Sequence, residues 1–157
     1  MTVYLVRHAD AKGRTRWEGP DSQRPLTKKG QRQAHGLMDQ LVDADVRHVL
    51  SSPAVRCLET VAPLATGRDV KVEHVDELRE GAPTKGALHL VQNAARDDGD
   101  TVLCTHGDLV PEVLRALCKD GLRLVDDLRF AKGSTWVLLA DGQKLTEGRY
   151  LPPPDDP

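Results

Sequence analysis

Apolar residues occur along the chain both in short continuous runs and in stretches with helical spacing. The short runs lie at 3–6, 46–50 and 101–104, and a looser set at 70–75 follows the second of them. Runs of this length predict buried strands of a parallel sheet. Between them, the spacing predicts amphipathic helices over 28–42, 54–64, 84–95 and 109–117. This alternation predicts an α/β fold, in which helices cover both faces of a central, mostly parallel sheet.

The last part of the chain has a different pattern. Residues 136–139 and 145–150 read as two antiparallel strands that turn at Asp141-Gly142. We interpret residues 1–150 as a single domain and residues 151–157 (LPPPDDP) as an unstructured, Pro-rich C-terminal tail. At the start of the first predicted helix, Thr27 is expected to be the N-cap, with Leu37, Leu41 and Val42 on the apolar face.

Polar residues with catalytic potential follow three of the predicted strands. The first strand ends in Arg7-His8, and the fourth ends in Thr105-His106. The second leads through Ser51-Ser52-Pro53 to Arg56. Open α/β sheets bind their ligands at the carboxyl ends of the strands, so we expect these side chains to form one site.

Composition narrows the class of protein. The chain has 157 residues, 39% hydrophobic and 29% charged, which is typical of one globular domain. A net charge of -2 argues against a nucleic-acid partner, and no apolar stretch approaches the roughly 20 residues that span a bilayer. Three cysteines without CxxC spacing are expected to be reduced. With no signal peptide evident, we expect a cytoplasmic protein.

The strand-end residues suit a phosphoryl group. The planar guanidinium groups of Arg7 and Arg56 match phosphate oxygens and can neutralise them without a metal. A neutral imidazole at His8 can attack phosphorus and carry it covalently. His106 would donate to the phosphoryl oxygens in the transition state, and Glu80 is a candidate general acid for the leaving oxygen.

Other residues near these positions are open to two interpretations. Arg24 is either a phosphate-binding residue or a salt-bridge partner at the helix start, while Asp10 and Asp108 either orient a histidine or cap a helix. The long polar loop at 10–25 carries Lys12, Arg14, Arg16 and Trp17, and a loop of that length is more often functional than idle. No cluster has metal-ligand spacing, so neither a metal nor a cofactor is expected.

Four of these motifs, in order, resemble those of the histidine phosphatase superfamily, the phosphoglycerate mutase-like proteins. They are Arg7-His8, the S-P-x-x-R-x-x-x-T stretch from Ser52 to Thr60, the L-x-E at 78–80 and His106-Gly107. Within the superfamily, RHADA at 7–11 and RPLTKKG at 24–30 resemble the short SixA-type branch of protein phosphohistidine phosphatases. DSQRPLTKKG and KGSTWVL also resemble the phosphatase domain fused to Nudix domains in actinobacterial sanitising enzymes.

The resemblance implies a phosphoglycerate mutase-like fold and a metal-independent phosphatase with a covalent phosphohistidine intermediate. It implies a SixA-like action on phosphohistidine proteins, with nucleotides as the alternative substrate. Glu80 and an intact His106-Gly107 depart from the usual SixA pattern. A phosphomutase and a non-catalytic phosphate-binding domain are further alternatives, which the absence of mutase insertions and the complete residue set disfavour.

Overall fold

A seven-stranded sheet forms the centre of the computed structural model, which describes residues 1–154. The strands are β1 (Thr2–Arg7), β2 (Val46–Ser51), β3 (Val72–His74), β4 (Asp100–Thr105), β5 (Arg123–Leu124), β6 (Thr135–Asp141) and β7 (Lys144–Leu151). The helices are α1 (Lys28–Gln40), α2 (Val55–Gly67), α3 (Thr84–Ala94) and α4 (Leu109–Lys119). The predicted alternation of strands and helices is confirmed.

The strands lie in the order β3-β2-β4-β1-β6-β7-β5. The four strands from β3 to β1 are parallel to their neighbours, whereas β6 runs antiparallel to β1 and β7 runs antiparallel to β6. The chain therefore builds a parallel half, and the C-terminal hairpin extends it. This is the central, mostly parallel sheet that the sequence predicts.

Two hydrophobic cores lie on opposite faces of the sheet. Alternate residues of β1 supply both, with Val3 and Leu5 in the core under α3 and α4 and Val6 in the core under α1 and α2. Side chains alternate in direction along a strand, so a continuously apolar strand must be covered on both faces. The prediction of a three-layer α/β/α sandwich is confirmed.

The start of α1 is as predicted, but its end is not. Thr27 is the N-cap, and its hydroxyl accepts a hydrogen bond from the Gly30 amide at 3.0 Å. The helix ends at Gln40, so Leu41 still reaches the core, whereas Val42 lies in the following turn and is 68% exposed. The prediction that Val42 belongs to the apolar face is wrong, because the helix stops before the pattern does.

The C-terminal strands turn at Asp141-Gly142 as predicted, and Gly142 has φ of 64°, a value that favours glycine. The segment expected to be an unstructured tail is partly ordered. Leu151 ends β7, the Pro152 carbonyl accepts from Gln40 Nε2 at 3.1 Å, and Pro154 packs over Gly36. Residues 155–157 of that tail lie outside the described residues. Within residues 1–154, every helix is too short or too polar to cross a lipid bilayer.

Candidate active site

The carboxyl ends of β2, β4 and β1 lie side by side at one edge of the sheet. Arg7 pairs with Thr105 in the β1–β4 register, and the His8 amide continues this pairing by donating to the Thr105 carbonyl at 3.0 Å. The Ser52 amide donates in the same way to the Cys104 carbonyl at 3.0 Å. The first residues beyond the three strands are therefore neighbours, as the sequence predicts.

His8 is buried and held in one tautomer. Its Nδ1 atom lies 2.8 Å from the carbonyl oxygen of Ala9. A carbonyl only accepts, so Nδ1 carries the proton and Nε2 is left with a free lone pair. Burial lowers the pKa of His8 from 6.5 to about 3, and the positive charges of Arg56 and Arg7 add to the effect. The imidazole is therefore neutral near pH 7.

His106 is the second buried histidine of the site, and its ring centroid lies 5.4 Å from that of His8. Its Nδ1 lies 3.4 Å from Nη2 of Arg56, which can only donate, so Nδ1 accepts. Nε2 then carries the proton and donates to the Ser52 hydroxyl at 2.8 Å. The Ser52 hydroxyl thus fixes the ring of His106, and it also accepts from the Ala54 amide at 3.3 Å.

Arg7 lies against the backbone that follows β4. Its Nη1 donates to the Phe130 carbonyl at 2.7 Å. A Cβ at Gly107 would lie only 2.6 Å from Cζ of Arg7, so the guanidinium occupies the space that any other residue at 107 would fill. The glycine of the His106-Gly107 motif therefore makes room for Arg7.

Arg56 comes from the first turn of α2 and is 1% exposed. Its Nη1 donates to the Asp21 carbonyl at 2.9 Å and its Nη2 to the Asp21 carboxylate at 3.1 Å. Nη2 also lies 3.7 Å from the carboxylate of Glu80. The Nη2 atom of Arg56 thus lies close to His106 and to two carboxylates.

Thr60, the last residue of the S-P-x-x-R-x-x-x-T motif, joins two parts of the site. Its hydroxyl donates to the Arg56 carbonyl at 2.6 Å and accepts from the Ala9 amide at 2.9 Å. This one side chain ties α2 to the segment that holds His8. Both the arginine and the threonine of this motif therefore have a defined role in the structure.

Glu80 and Arg24 lie at the wall of the same cleft. Arg7, His8, Arg24 and Glu80 line a pocket of about 340 Å³, and Glu80 also lines an adjoining pocket of about 280 Å³ that contains Arg56 and His106. The carboxylate of Glu80 accepts from Arg14 at 2.8 Å. All six residues predicted for the site are thus brought together.

The two aspartates with open interpretations contact neither histidine. Asp10 accepts from the Thr27 hydroxyl at 2.6 Å, and Asp108 accepts from the Gly81 amide at 2.8 Å. Asp108 occupies the N-cap position of α4 without a side-chain cap. By holding Gly81, it fixes the backbone next to Glu80.

Size alone does not identify this cleft, because larger pockets lie elsewhere. One of about 490 Å³ lies between α3, α4 and the β6–β7 hairpin. Since β6 runs antiparallel to β1, that hairpin turn is at the sheet edge opposite His8. The cleft at His8 is distinguished by its buried histidines and arginines instead.

The chain is similar to known proteins in both sequence and fold. The model of the histidine phosphatase superfamily (branch 1) matches residues 3–86, which include Arg7, His8, Arg56 and Glu80. The 8-oxo-(d)GTP phosphatase of Mycolicibacterium smegmatis is 36% identical over 159 aligned residues, covering 99% of this chain and 49% of that protein. The chain thus spans about half the length of this curated relative.

Two solved structures share the fold. The protein histidine phosphatase SixA complexed with tungstate has a TM-score of 0.76 at 20% identity, over 93% of both chains. A candidate phosphohistidine phosphatase SixA from Nakamurella multipartitia has a TM-score of 0.74 at 26% identity, over 97% of this chain and 95% of the other. Because the family model matches more than half of the chain, the chain belongs to the histidine phosphatase superfamily, branch 1.

Proposed function

We propose that the protein hydrolyses its phosphorylated substrate through a phosphoryl group carried on His8. The observation that carries this proposal is the tautomer of His8. Because Nδ1 donates to the Ala9 carbonyl, the nucleophilic lone pair lies on Nε2, and the pKa of about 3 keeps it unprotonated. Attack forms the Nε2–P bond as the bond from phosphorus to the leaving oxygen breaks. Water then attacks the phosphohistidine, releasing phosphate.

The arginines and His106 would stabilise the transferring group. The guanidinium groups of Arg7 and Arg56 bring two positive charges to the cleft beside His8, which suits a dianionic phosphoryl group. His106 contacts Arg56 through Nδ1. A proton taken up at this nitrogen would convert it into a donor toward a phosphoryl oxygen, while Ser52 holds the other side of the ring.

Glu80 would serve as the general acid for the leaving oxygen and then as the base for the attacking water. It lies between the two parts of the cleft, beside Arg56, and its side chain is 39% exposed. Its contact with Arg14 lies at an exposed position of the polar loop. Movement of Arg14 would release the carboxyl group toward the substrate.

The proposed reaction needs neither a metal nor a cofactor, because the arginines supply the positive charge that a metal would otherwise bring. The same residue set disfavours a non-catalytic phosphate-binding domain. A location in the cytoplasm remains a prediction, which the three free cysteines support.

Two substrate classes fit the cleft. The 36% identity, over 99% of this chain, to a protein named 8-oxo-(d)GTP phosphatase supports a nucleotide. Arg14 and Lys132 at the pocket beside His8 also support it, since they could bind further phosphates. The likeness to SixA supports a phosphohistidine protein, the substrate that the RHADA and RPLTKKG motifs favour. We place the nucleotide first, because sequence identity over 99% of the chain is closer evidence of specificity than a shared fold.

A substrate panel tests this proposal. Phosphate release would be compared for nucleoside di- and triphosphates, including the 8-oxoguanine forms, and for a phosphorylated histidine-phosphotransfer domain. A kcat/KM for the best nucleotide at least about tenfold above that for the phosphoprotein, roughly 1.4 kcal/mol of transition-state binding, would support the nucleotide. The reverse preference would support the SixA-like activity, and isomer formation without phosphate release would indicate a phosphomutase.

A further inference from the structure

Asp21 is the residue that holds two of the cleft's arginines together. It lies in a short 3-10 turn, Asp21–Gln23, within the polar loop. Its carboxylate accepts from Arg24 Nε at 3.1 Å and from Arg56 Nη2 at 3.1 Å. Its carbonyl accepts from Arg56 Nη1 at 2.9 Å.

The two arginines are buried, whereas the residue that joins them is not. Arg56 is 1% exposed and Arg24 is 5% exposed, while the Asp21 side chain is 46% exposed. Arg24 has one further contact, from Nη1 to the Lys12 carbonyl at 2.6 Å, which anchors it to the start of the loop. Both guanidinium groups therefore depend on the same loop for their orientation.

We infer that Asp21 is a positioning residue, which fixes Arg56 and Arg24 in the orientation that receives the phosphoryl group. This inference rests on the proposed function, since it assumes that Arg56 binds the phosphoryl oxygens. A bidentate arginine contact requires a defined guanidinium plane, and Asp21 supplies that constraint by accepting three hydrogen bonds, two from Arg56 and one from Arg24. Through Asp21, the polar loop controls the affinity of the cleft for anions.

The negative charge of Asp21 by itself would weaken anion binding, whereas the orientation of the arginines would strengthen it. This contrast makes the inference testable. A carboxylate near the cleft repels an entering anion, so if Asp21 acted by charge alone, its neutral variants would bind anions more tightly. If it acts by orientation, the same variants bind anions more weakly. The sign of the change in affinity separates the two roles.

The test uses Asp21→Ala, Asp21→Asn and Asp21→Glu, with Glu18→Ala as the control in the same loop. Glu18 is exposed and has no hydrogen bond or ion pair to the described part of the chain. Tungstate affinity would be measured by calorimetry, and kcat and KM would be measured separately with p-nitrophenyl phosphate. Thermal unfolding would show whether each variant is folded, and Asp21→Asn serves if Asp21→Ala is not.

We expect Asp21→Ala and Asp21→Asn to weaken tungstate binding and lower kcat/KM by about 10- to 100-fold, the scale of a small misplacement of a binding group. Most of this change should lie in KM, because Arg56 contacts the phosphoryl group in both ground and transition states. Asp21→Glu should recover part of the loss. In an Arg56→Ala background, Asp21→Ala should have a smaller effect than in the wild type.

Tighter tungstate binding by Asp21→Asn, variants equal to Glu18→Ala, or full additivity with Arg56→Ala would each overturn the inference. If the Asp21 variants behave in one of these ways while the wild-type protein still turns over phosphate esters and binds tungstate, the proposed function stays intact. A wild-type protein that does neither would instead refute the proposed function, and the role of Asp21 with it.

Discussion

The buried, neutral state of His8 should make stability depend on pH in a defined window. Its pKa is 6.5 in the unfolded chain and about 3 in the folded protein, chiefly because the ring is buried. Between these values the unfolded chain binds more protons. The free energy of unfolding therefore rises with pH across this window. The stability that depends on neutral His8 is fully present above pH 6.5 and is lost as pH falls toward 3.

The magnitude follows from the size of the pKa shift. Each pH unit inside the window changes the free energy of unfolding by about 1.4 kcal/mol. At pH 4.5 the wild-type protein should therefore have lost about 2.7 kcal/mol through His8 compared with pH 7.5. In His8→Asn the amide nitrogen can take the place of Nδ1 and donate to the Ala9 carbonyl, but the side chain does not titrate.

Urea unfolding of the two proteins at several values between pH 4.5 and 7.5 would isolate this term. Carboxylates titrate in both proteins, so their contributions cancel when one free energy of unfolding is subtracted from the other. We expect the difference to move by about 2.7 kcal/mol in favour of His8→Asn at the acid end. Parallel curves, with a difference constant within about 0.5 kcal/mol, would refute the reasoning and give His8 an ordinary pKa.

Three further predictions concern the chemistry. Glu80→Gln should slow hydrolysis of an alkyl phosphate by about 10²-fold, the scale of general acid catalysis. Hydrolysis of p-nitrophenyl phosphate should slow much less, because p-nitrophenolate leaves without a proton donor. Equal losses on the two substrates would indicate a binding role for Glu80. Gly107→Ala should lower kcat/KM by about 10²-fold by displacing Arg7, whereas Gly13→Ala, with nothing within 4 Å of its new Cβ, should retain activity. Turnover should be unchanged in EDTA, and a loss that Mg²⁺ or Zn²⁺ restores would contradict the assignment of charge neutralisation to the arginines.

The sequence predicts the parts of the site that depend on strand ends. His8 and His106 each follow a buried strand, and parallel strands of one sheet end at a common edge, so their proximity follows from the pattern of apolar runs. Thr27 is predicted for a similar reason, because a cap bonds to an amide three residues away. These features depend on local spacing and on the rules of sheet topology.

Contacts between distant loops could not be predicted in this way. Asp21 bonds to Arg56, 35 residues further along, and Arg14 bonds to Glu80 across 66 residues. No periodicity links such positions. The three-residue spacing of Asp21 and Arg24 was the available signal, and it indicates a local ion pair. It does not reveal that Arg56 also bonds to Asp21. The two-residue strand β5 was missed because it is too short to show alternation.

The central claim is that His8 carries the phosphoryl group, and rapid quenching tests it most directly. Substrate labelled with ³²P at the transferred phosphate would be mixed with enzyme and quenched in alkali within milliseconds, and the labelled residue would be identified in wild type and in His8→Ala. The account predicts a base-stable, acid-labile label on His8 that is absent from the variant. Label retained by His8→Ala, or label found on a cysteine, would contradict it.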